Sequence, residues 1–381
     1  MKELSETVFT NARIVLADEV ITGSVSIMDG QIVAVDTGSA RSGEDLNGDF
    51  LIPGLVELHT DHLENHYRPR PGVFWDPLAA LHAHDAQVAG SGITTVFDAV
   101  RIGSDVDMPE MLGHAEKLVN AIRSGSEAGW MRADHFIHLR CELPSHDVVE
   151  HFDALAYHPL TRLASVMDHT PGQRQFRSLE DYKRFYAKQM GRTAEELQAY
   201  LDARQAEHER YSAQNRKAIV ERARELELAL ASHDDATLSH VEEAAEDGVA
   251  ISEFPTTLEA AAAAHDAGLA ILMGAPNVVR GKSHSGNISA TDLVAAGLLD
   301  ILSSDYVPFA LLQAAFLLPQ RVEGLDLARA LATVTRNPAR AAGLTDRGEI
   351  APGKRADLVR VAANAPLPVV RAVWREGLRV S

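Results

Sequence analysis

Apolar residues occur along the chain in short runs that end in polar residues, and longer amphipathic stretches separate these runs. Eight runs between about residues 51 and 305 have the length of a buried strand. They predict strands at residues 54–59, 93–99, 135–142, 163–169, 228–233, 249–254, 269–274 and 300–305. Strands that alternate with helical stretches in this number predict an α/β fold with a closed parallel barrel, the (β/α)₈ or TIM-like barrel.

The two ends of the chain have a different pattern. Residues 7–37 form short β-rich runs separated by turns, and further short strands are expected after Gly348. We predict that residues 1–50 and 346–381 together form a small composite β-sandwich domain, and that residues 51–345 form the barrel. The stretch from about 171 to 227 is too long for a simple connection. Its charged, helical pattern predicts an insertion that covers the mouth of the barrel.

Composition and charge narrow the classes of function. The chain has 381 residues, a hydrophobic fraction of 46% and one cysteine, which fits a reducing compartment. Its 54 acidic and 36 basic residues give a net charge of −18, which argues against nucleic-acid binding. No apolar run approaches a membrane span, and the first residues lack the apolar core of a signal peptide. We expect a cytoplasmic homo-oligomer that binds neither nucleic acid nor membranes.

Metal-binding side chains stand at the ends of several predicted strands. His59 and Asp61 end the first strand region, and alternate strand residues point to the same side. The carboxyl ends of barrel strands meet at one mouth, where barrel enzymes keep their chemistry. Imidazole and carboxylate together favour one or two divalent ions, Zn²⁺ first and Mn²⁺ as the alternative. The remaining candidate ligands are Glu142, His169, His233 and Asp305.

Two of these carboxylates are also candidate catalytic residues. Glu142 shares one strand face with His138 and Arg140, and polar side chains inside a barrel are costly unless they serve a site. Glu142 is therefore expected to bridge two metal ions or to bind one. Asp305 is expected to bind metal and to accept a proton from a water molecule. Taken singly, a histidine is more often structural, and Asp305 has the alternative of capping a helix.

A set of basic residues lies near the same strand ends. Charged donors on flexible loops suit a phosphate group, and this placement predicts an anionic substrate despite the acidic total charge. The alternative is an ordinary surface loop. The candidate substrate-binding residues are Arg68, Arg70, Arg140, Arg174, Arg280, Lys282 and His284.

Several motifs resemble the amidohydrolase superfamily. The wider resemblance rests on residues 52–55 (Ile-Pro-Gly-Leu), 337–339 (Asn-Pro-Ala), 348–350 and 353–359. A closer resemblance, over nearly the whole chain, is to the phosphonate-metabolism branch of the carbon–phosphorus lyase pathway. It rests on residues 57–61, 138–144, 167–176, 231–237, 273–277 and 303–306. This resemblance implies hydrolysis of α-D-ribose 1-methylphosphonate 5-triphosphate to the 5-phosphate, with release of pyrophosphate.

The chain also departs from the superfamily pattern. The usual His-x-His is His59-Thr60-Asp61 here, and no lysine stands at a strand end to bridge two metals, so Glu142 is the expected substitute. His169 and His233 end predicted strands four and five, whereas the superfamily usually uses five and six.

Two other functions stay open: a deaminase or amide hydrolase, and a non-catalytic component of an enzyme complex. The arginine-rich loops favour the phosphoanhydride hydrolase, and the intact ligand set disfavours a non-catalytic role.

Overall fold

The structure is a computed structural model that describes residues 6–38, 42–104, 113–174, 193–281, 287–362 and 366–381. In chain order its strands are β1 (Glu6–Val15), β2 (Val20–Met28), β3 (Gln31–Thr37), β4 (Glu44–Asp45), β5 (Phe50–Pro53), β6 (Leu55–Thr60), β7 (Ile93–Ile102), β8 (Asp134–Glu142), β9 (Thr161–Met167), β10 (Ala229–His233), β11 (Ile251–Glu253), β12 (Ala270–Gly274), β13 (Ile301–Ser303), β14 (Leu358–Val361), β15 (Val370–Arg375) and β16 (Leu378–Arg379). Its helices are α1 (His62–Tyr67), α2 (Pro77–Gly90), α3 (Ala115–Glu127), α4 (Val148–Leu155), α5 (Ala194–Glu207), α6 (Ala213–Glu225), α7 (Leu238–Glu246), α8 (Leu258–Asp266), α9 (Ala275–Arg280), α10 (Ala290–Ala295), α11 (Ala310–Arg321), α12 (Leu327–Ala332) and α13 (Arg336–Ala341), with a π-helix at His208–Ser212 between α5 and α6.

Strands β6 to β13 lie side by side in chain order, and each is parallel to the next. A bridge between Thr60 and Asp305 joins the last strand to the first. This confirms the predicted eight-stranded barrel. His233 ends its fifth strand, as predicted, whereas the fourth strand ends at Met167 and His169 lies two residues beyond it. The barrel interior is filled by buried apolar side chains, among them Val56, Leu58, Phe97, Leu163, Ala231, Ile251, Leu272 and Ile301.

A buried carboxylate completes the seam between β6 and β13. Glu57 accepts hydrogen bonds from the backbone N–H of His59 at 2.7 Å and from the hydroxyl of Ser303 at 2.8 Å, and the backbone N–H of Ser304 also donates to it. Burial raises the pKa of Glu57 to about 7, although each of these donors lowers it. The seam therefore sets the ends of the first and last strands side by side.

Both ends of the chain contribute strands to a second, mostly antiparallel sheet, as predicted. Its order is β16-β15-β14-β5-β1-β2-β3, and β4 pairs with β1. The chain passes from this sheet into the barrel at Gly54. A Cβ atom there would lie 2.2 Å from Oγ1 of Thr94, so only glycine fits this crossing. The exact boundaries of the two domains stay a prediction.

From Ala194 to Glu225 the predicted insertion is helical, and it contacts loops near the barrel mouth. His208 and Ser212 of the π-helix hydrogen-bond to Asp168, the residue before His169, at 2.6 and 2.8 Å. Asn215 of α6 donates to the carbonyl oxygen of Leu143, directly after β8, at 2.8 Å. These contacts hold the insertion against the loops that follow strands three and four of the barrel.

No helix in the described parts of the chain is long and apolar enough to cross a membrane.

Candidate metal centre

The carboxyl ends of the barrel strands surround one cavity of about 290 Å³. Four of the six predicted ligands line it: His59, His169, His233 and Asp305. The other two, Asp61 and Glu142, do not line it. Asp61 follows β6, and its carboxylate lies 3.5 Å from Nη1 of Arg140, which does line the cavity.

Two of the cavity histidines share a glutamate that the sequence did not single out. Glu253, the last residue of β11, is fully buried, and its two carboxylate oxygens lie 3.1 Å from Nδ1 of His59 and 3.1 Å from Nδ1 of His233. Burial lowers the pKa of His233 to about 3 and holds the pKa of His59 well below its usual value, which favours the neutral form of both rings. Because Nδ1–H donates to Glu253 in each ring, each Nε2 keeps a free lone pair, the arrangement that metal-binding histidines adopt.

Glu142 orients the third cavity histidine, His169, in the same way. This fully buried carboxylate accepts from Nδ1 of His169 at 2.7 Å and from Arg101 at 2.8 Å, and Arg204 of the insertion lies at 3.5 Å. Burial opposes ionisation, but His169 and these two arginines hold the pKa of Glu142 well below its usual range. Glu142 is therefore an ionised group behind His169, with its oxygens already engaged by protein donors.

Asp234 completes a group of possible metal ligands. Its Oδ2 is buried without a hydrogen-bond partner among the described residues, 3.7 Å from Nε2 of His233 and 4.0 Å from Nε2 of His169. Ligands about 2.0–2.2 Å from a tetrahedral ion lie roughly 3.3–3.6 Å apart. Both distances are thus slightly longer than a metal site requires, and a divalent cation between these atoms would satisfy the orphaned oxygen.

The electrostatics of the cavity also favour a cation. Burial raises the pKa of Asp234 to about 6, and burial together with the charge of Asp61 raises the pKa of Asp305 to about 7. Burial likewise raises the pKa of Asp61, and Arg140 acts in the opposite direction on all three carboxylates. One arginine does not offset three clustered acids, whereas a divalent ion would add the missing positive charge.

Backbone strain marks the same edge of the barrel. Asp234, Phe254 and Asp305 each follow a barrel strand with φ between 53° and 59°, in the left-handed region. This conformation costs an L-residue about 1–2 kcal/mol. The N–H of Asp234 still donates to the carbonyl oxygen of Glu253, and that of Asp305 to the carbonyl oxygen of His59. The left-handed conformation thus leaves the backbone N–H of both aspartates hydrogen-bonded to the neighbouring strand.

The predicted basic residues have different environments. Arg140 and Arg280 line the cavity. Arg174 is buried and forms ion pairs with Asp235 and, at 2.8 Å, with Glu243, so it ties the start of the insertion to α7. Arg68 directly follows α1 and Arg70 is exposed on the next loop, and neither lines the cavity. Lys282 and His284 lie outside the described residues.

Sequence reasoning missed four residues around the cavity: Asp234, Glu253, Arg101 and Arg204. A signal existed for the first two, because Asp234 directly follows His233 and Glu253 is an acid near the end of an apolar strand. Arg101 had a weaker signal, as a charge near the end of the second strand. Nothing local in the sequence marks Arg204, which lies on helix α5 and reaches Glu142 only through the fold.

The fold and this site define a class of enzyme. Residues 50–379 match the amidohydrolase family, and the chain belongs to it. The prediction that the chain is a hydrolase is thereby confirmed.

Among individual proteins, the chain is similar to the α-D-ribose 1-methylphosphonate 5-triphosphate diphosphatase of Escherichia coli (strain K12). The two are 45% identical over 376 residues, which cover 98% of this chain and 100% of that protein. A much shorter match, 36% over 66 residues, is to an adenine deaminase of Desulfitobacterium hafniense (strain Y51) and covers 17% of this chain and 11% of that protein.

Solved structures share the fold at low sequence identity. Ochratoxinase of A. niger has a TM-score of 0.66 at 13% identity, with 99% of this chain and 96% of that chain covered. The 5-methylcytosine deaminase of Klebsiella pneumoniae, liganded with phosphonocytosine, has a TM-score of 0.65 at 15% identity, with 98% of each chain covered. These likenesses confirm the barrel architecture.

We predict that Glu253→Gln weakens metal binding about 10- to 100-fold, the usual effect of losing a group that orients metal-binding histidines. The amide NH₂ cannot accept a hydrogen bond, so it cannot hold Nδ1–H of both His59 and His233. The metal-stripped variant should be titrated with Zn²⁺ against a chromophoric chelator. Glu259→Gln, an exposed change on α8, is the matched control. Equal affinities for the two variants would contradict the orienting role of Glu253.

Proposed function

We propose that this chain is a metal-dependent diphosphatase that hydrolyses α-D-ribose 1-methylphosphonate 5-triphosphate to the 5-phosphate and pyrophosphate. The observation that carries the proposal is the 45% identity to a diphosphatase of this name, which extends over 98% of the chain. The site agrees with it, because the cavity combines possible metal ligands with two arginines that suit phosphate groups. The cytoplasmic location and the homo-oligomeric state expected from the sequence stay predictions.

For the metal we propose His59, His169, His233 and Asp234 as the residues that hold it, with Asp61 and Asp305 at the edge of the site. Zn²⁺ suits this mixture of imidazole and carboxylate best, and Mn²⁺ is the alternative. A divalent ion supplies Lewis acidity, which makes water nucleophilic at neutral pH and neutralises charge on phosphate oxygens. Glu142, predicted as a ligand or bridge, is proposed instead to position His169, because its oxygens are engaged by His169 and Arg101.

The remaining groups have roles in the hydrolytic step. A water oxygen forms a bond to the α-phosphorus, the bond from that phosphorus to the bridging oxygen breaks, and pyrophosphate leaves. Asp305 takes the proton that the water loses, as a carboxylate lining the cavity beside the ligands. Arg140 and Arg280 compensate charge on the phosphate oxygens by hydrogen bonds from their guanidinium groups. Deaminase or amide hydrolase activity is the competing function on the same fold.

Isotope labelling tests both the bond that is cleaved and the atom that is attacked. We expect the zinc-loaded enzyme in H₂¹⁸O to release pyrophosphate and to place the label in the sugar 5-phosphate, because water attacks the α-phosphorus. Phosphorus NMR resolves both products and the ¹⁸O-induced shift. Label in pyrophosphate, orthophosphate as the first product, or no turnover of this substrate while a nucleobase releases ammonia would each contradict the proposal.

Asp305→Asn tests the proton acceptor. The change keeps the shape of the side chain but removes its basicity, so kcat should fall about 10²- to 10⁴-fold while KM changes little. Measuring the metal content of the same samples shows whether a lower kcat comes from the missing base or from a missing metal ion. A variant that keeps its metal and its kcat would remove Asp305 from the mechanism.

The two arginines that the sequence grouped together should now behave differently. Arg280→Ala should raise KM about 10- to 100-fold, since a charge-assisted hydrogen bond contributes about 1.5–3 kcal/mol, and should leave the free energy of unfolding nearly unchanged. Arg174→Ala should instead lower that free energy, because it leaves the buried carboxylate of Asp235 without its cation. Steady-state kinetics and denaturant unfolding of both variants measure this contrast, and the reverse pattern would refute it.

A further inference from the structure

A second cluster of histidines lies outside the barrel mouth. His62 and His66 are four residues apart on α1, so they share one helix face, and their ring centroids are 4.9 Å apart. His84 of α2 faces both, with centroid distances of 5.8 and 6.0 Å. One ligand atom from each of the three rings lies within 4.8 Å of the other two.

Two nitrogens in this cluster are buried without a partner. Nδ1 of His62 and Nδ1 of His84 have no hydrogen bond within the parts of the chain that the structure describes, and His84 is fully buried. A buried polar atom left unpaired costs about 1–3 kcal/mol. Two such atoms in one three-histidine cluster therefore indicate a ligand that accepts lone pairs from both.

The opposite nitrogens are oriented by neighbouring side chains. Nε2 of His84 lies 2.8 Å from a carboxylate oxygen of Asp98, and Nε2 of His66 lies 3.1 Å from Oε1 of Gln87. Asp98 also binds Nδ1 of His135 at 2.7 Å, which fixes the carboxylate in place. A histidine that donates one N–H to a carboxylate or amide oxygen presents its other nitrogen as a ligand, which is the pattern found around protein-bound metals.

The position separates this cluster from the proposed catalytic centre. Phe97 packs among the side chains inside the barrel. The next residue of β7, Asp98, therefore points outward and meets His84 of α2 on the outer surface of the barrel. An ion bound here would lie between α1 and α2, outside the barrel, and would hold α1 against α2. Helix α1 begins directly after Asp61, so the ion would also steady the chain that leaves the first barrel strand.

We propose that His62, His66 and His84 form a second metal site, which binds one divalent transition-metal ion, Zn²⁺ in particular. Three imidazoles suit Zn²⁺ and leave one coordination position for water, whereas Mg²⁺ and Ca²⁺ require oxygen ligands. The site is independent of the proposed diphosphatase activity, since none of its residues lines the catalytic cavity.

The test counts metal ions and does not depend on turnover. Metal-stripped wild-type protein, His66→Gln and His82→Gln are titrated with Zn²⁺ against a chromophoric chelator. His82 is an exposed residue two positions from His84 and is the matched control. We expect His66→Gln to bind one equivalent fewer than the other two proteins, whatever number the barrel holds. Equal stoichiometry for His66→Gln and wild type would overturn the site.

A second measurement uses the wild-type protein alone, so it stands even if a variant fails to fold. Diethyl pyrocarbonate modifies free imidazole, and peptide mass spectrometry locates the modified histidines. We expect Zn²⁺ to protect His66 and to leave His82 equally reactive with and without metal. Equal labelling of His66 in both conditions would overturn the proposal, even if the barrel site binds its metal normally.

Discussion

The barrel depends on the seam where its first strand meets its last. The buried carboxylate of Glu57 gathers donors from both strands, and the bridge between Thr60 and Asp305 continues the seam to the cavity. Because of this closure, the N–H of Asp305 donates to the carbonyl oxygen of His59 at 3.1 Å, although the two residues belong to opposite ends of the barrel sequence. Without the seam, the first and last groups of the candidate centre would not share a cavity.

Acidic side chains cluster at and near the cavity beside this seam. Asp61, Asp234 and Asp305 crowd around one arginine, and burial raises the pKa of each. Opposite them, Glu142 and Glu253 stay behind the histidines and hold their Nδ1 atoms. The position of each carboxylate thus decides its role. The two glutamates orient imidazoles, whereas the three aspartates concentrate negative charge near the cavity, where a cation is needed.

The insertion makes the centre dependent on a distant part of the chain. Arg204 of α5 reaches the carboxylate of Glu142, and His208 and Ser212 hold Asp168 beside His169. The π-helix that carries the last two contacts is a rare geometry found mostly at functional sites. The insertion thus supports His169, one of the proposed metal ligands, through the carboxylates of Glu142 and Asp168.

The sequence alone determined the strands, their number and order, and the histidines at their ends, because strand pattern and strand-end position are local properties. It also indicated that both termini contribute strands to one small domain. It did not determine which acid faces which ring. Glu253 and Glu142 hold imidazoles that come from other strands or loops of the barrel, and Arg174 pairs with Asp235 instead of facing the cavity. Those partners follow from barrel register and closure, which place residues far apart in sequence within hydrogen-bond distance, and only the tertiary structure decides them.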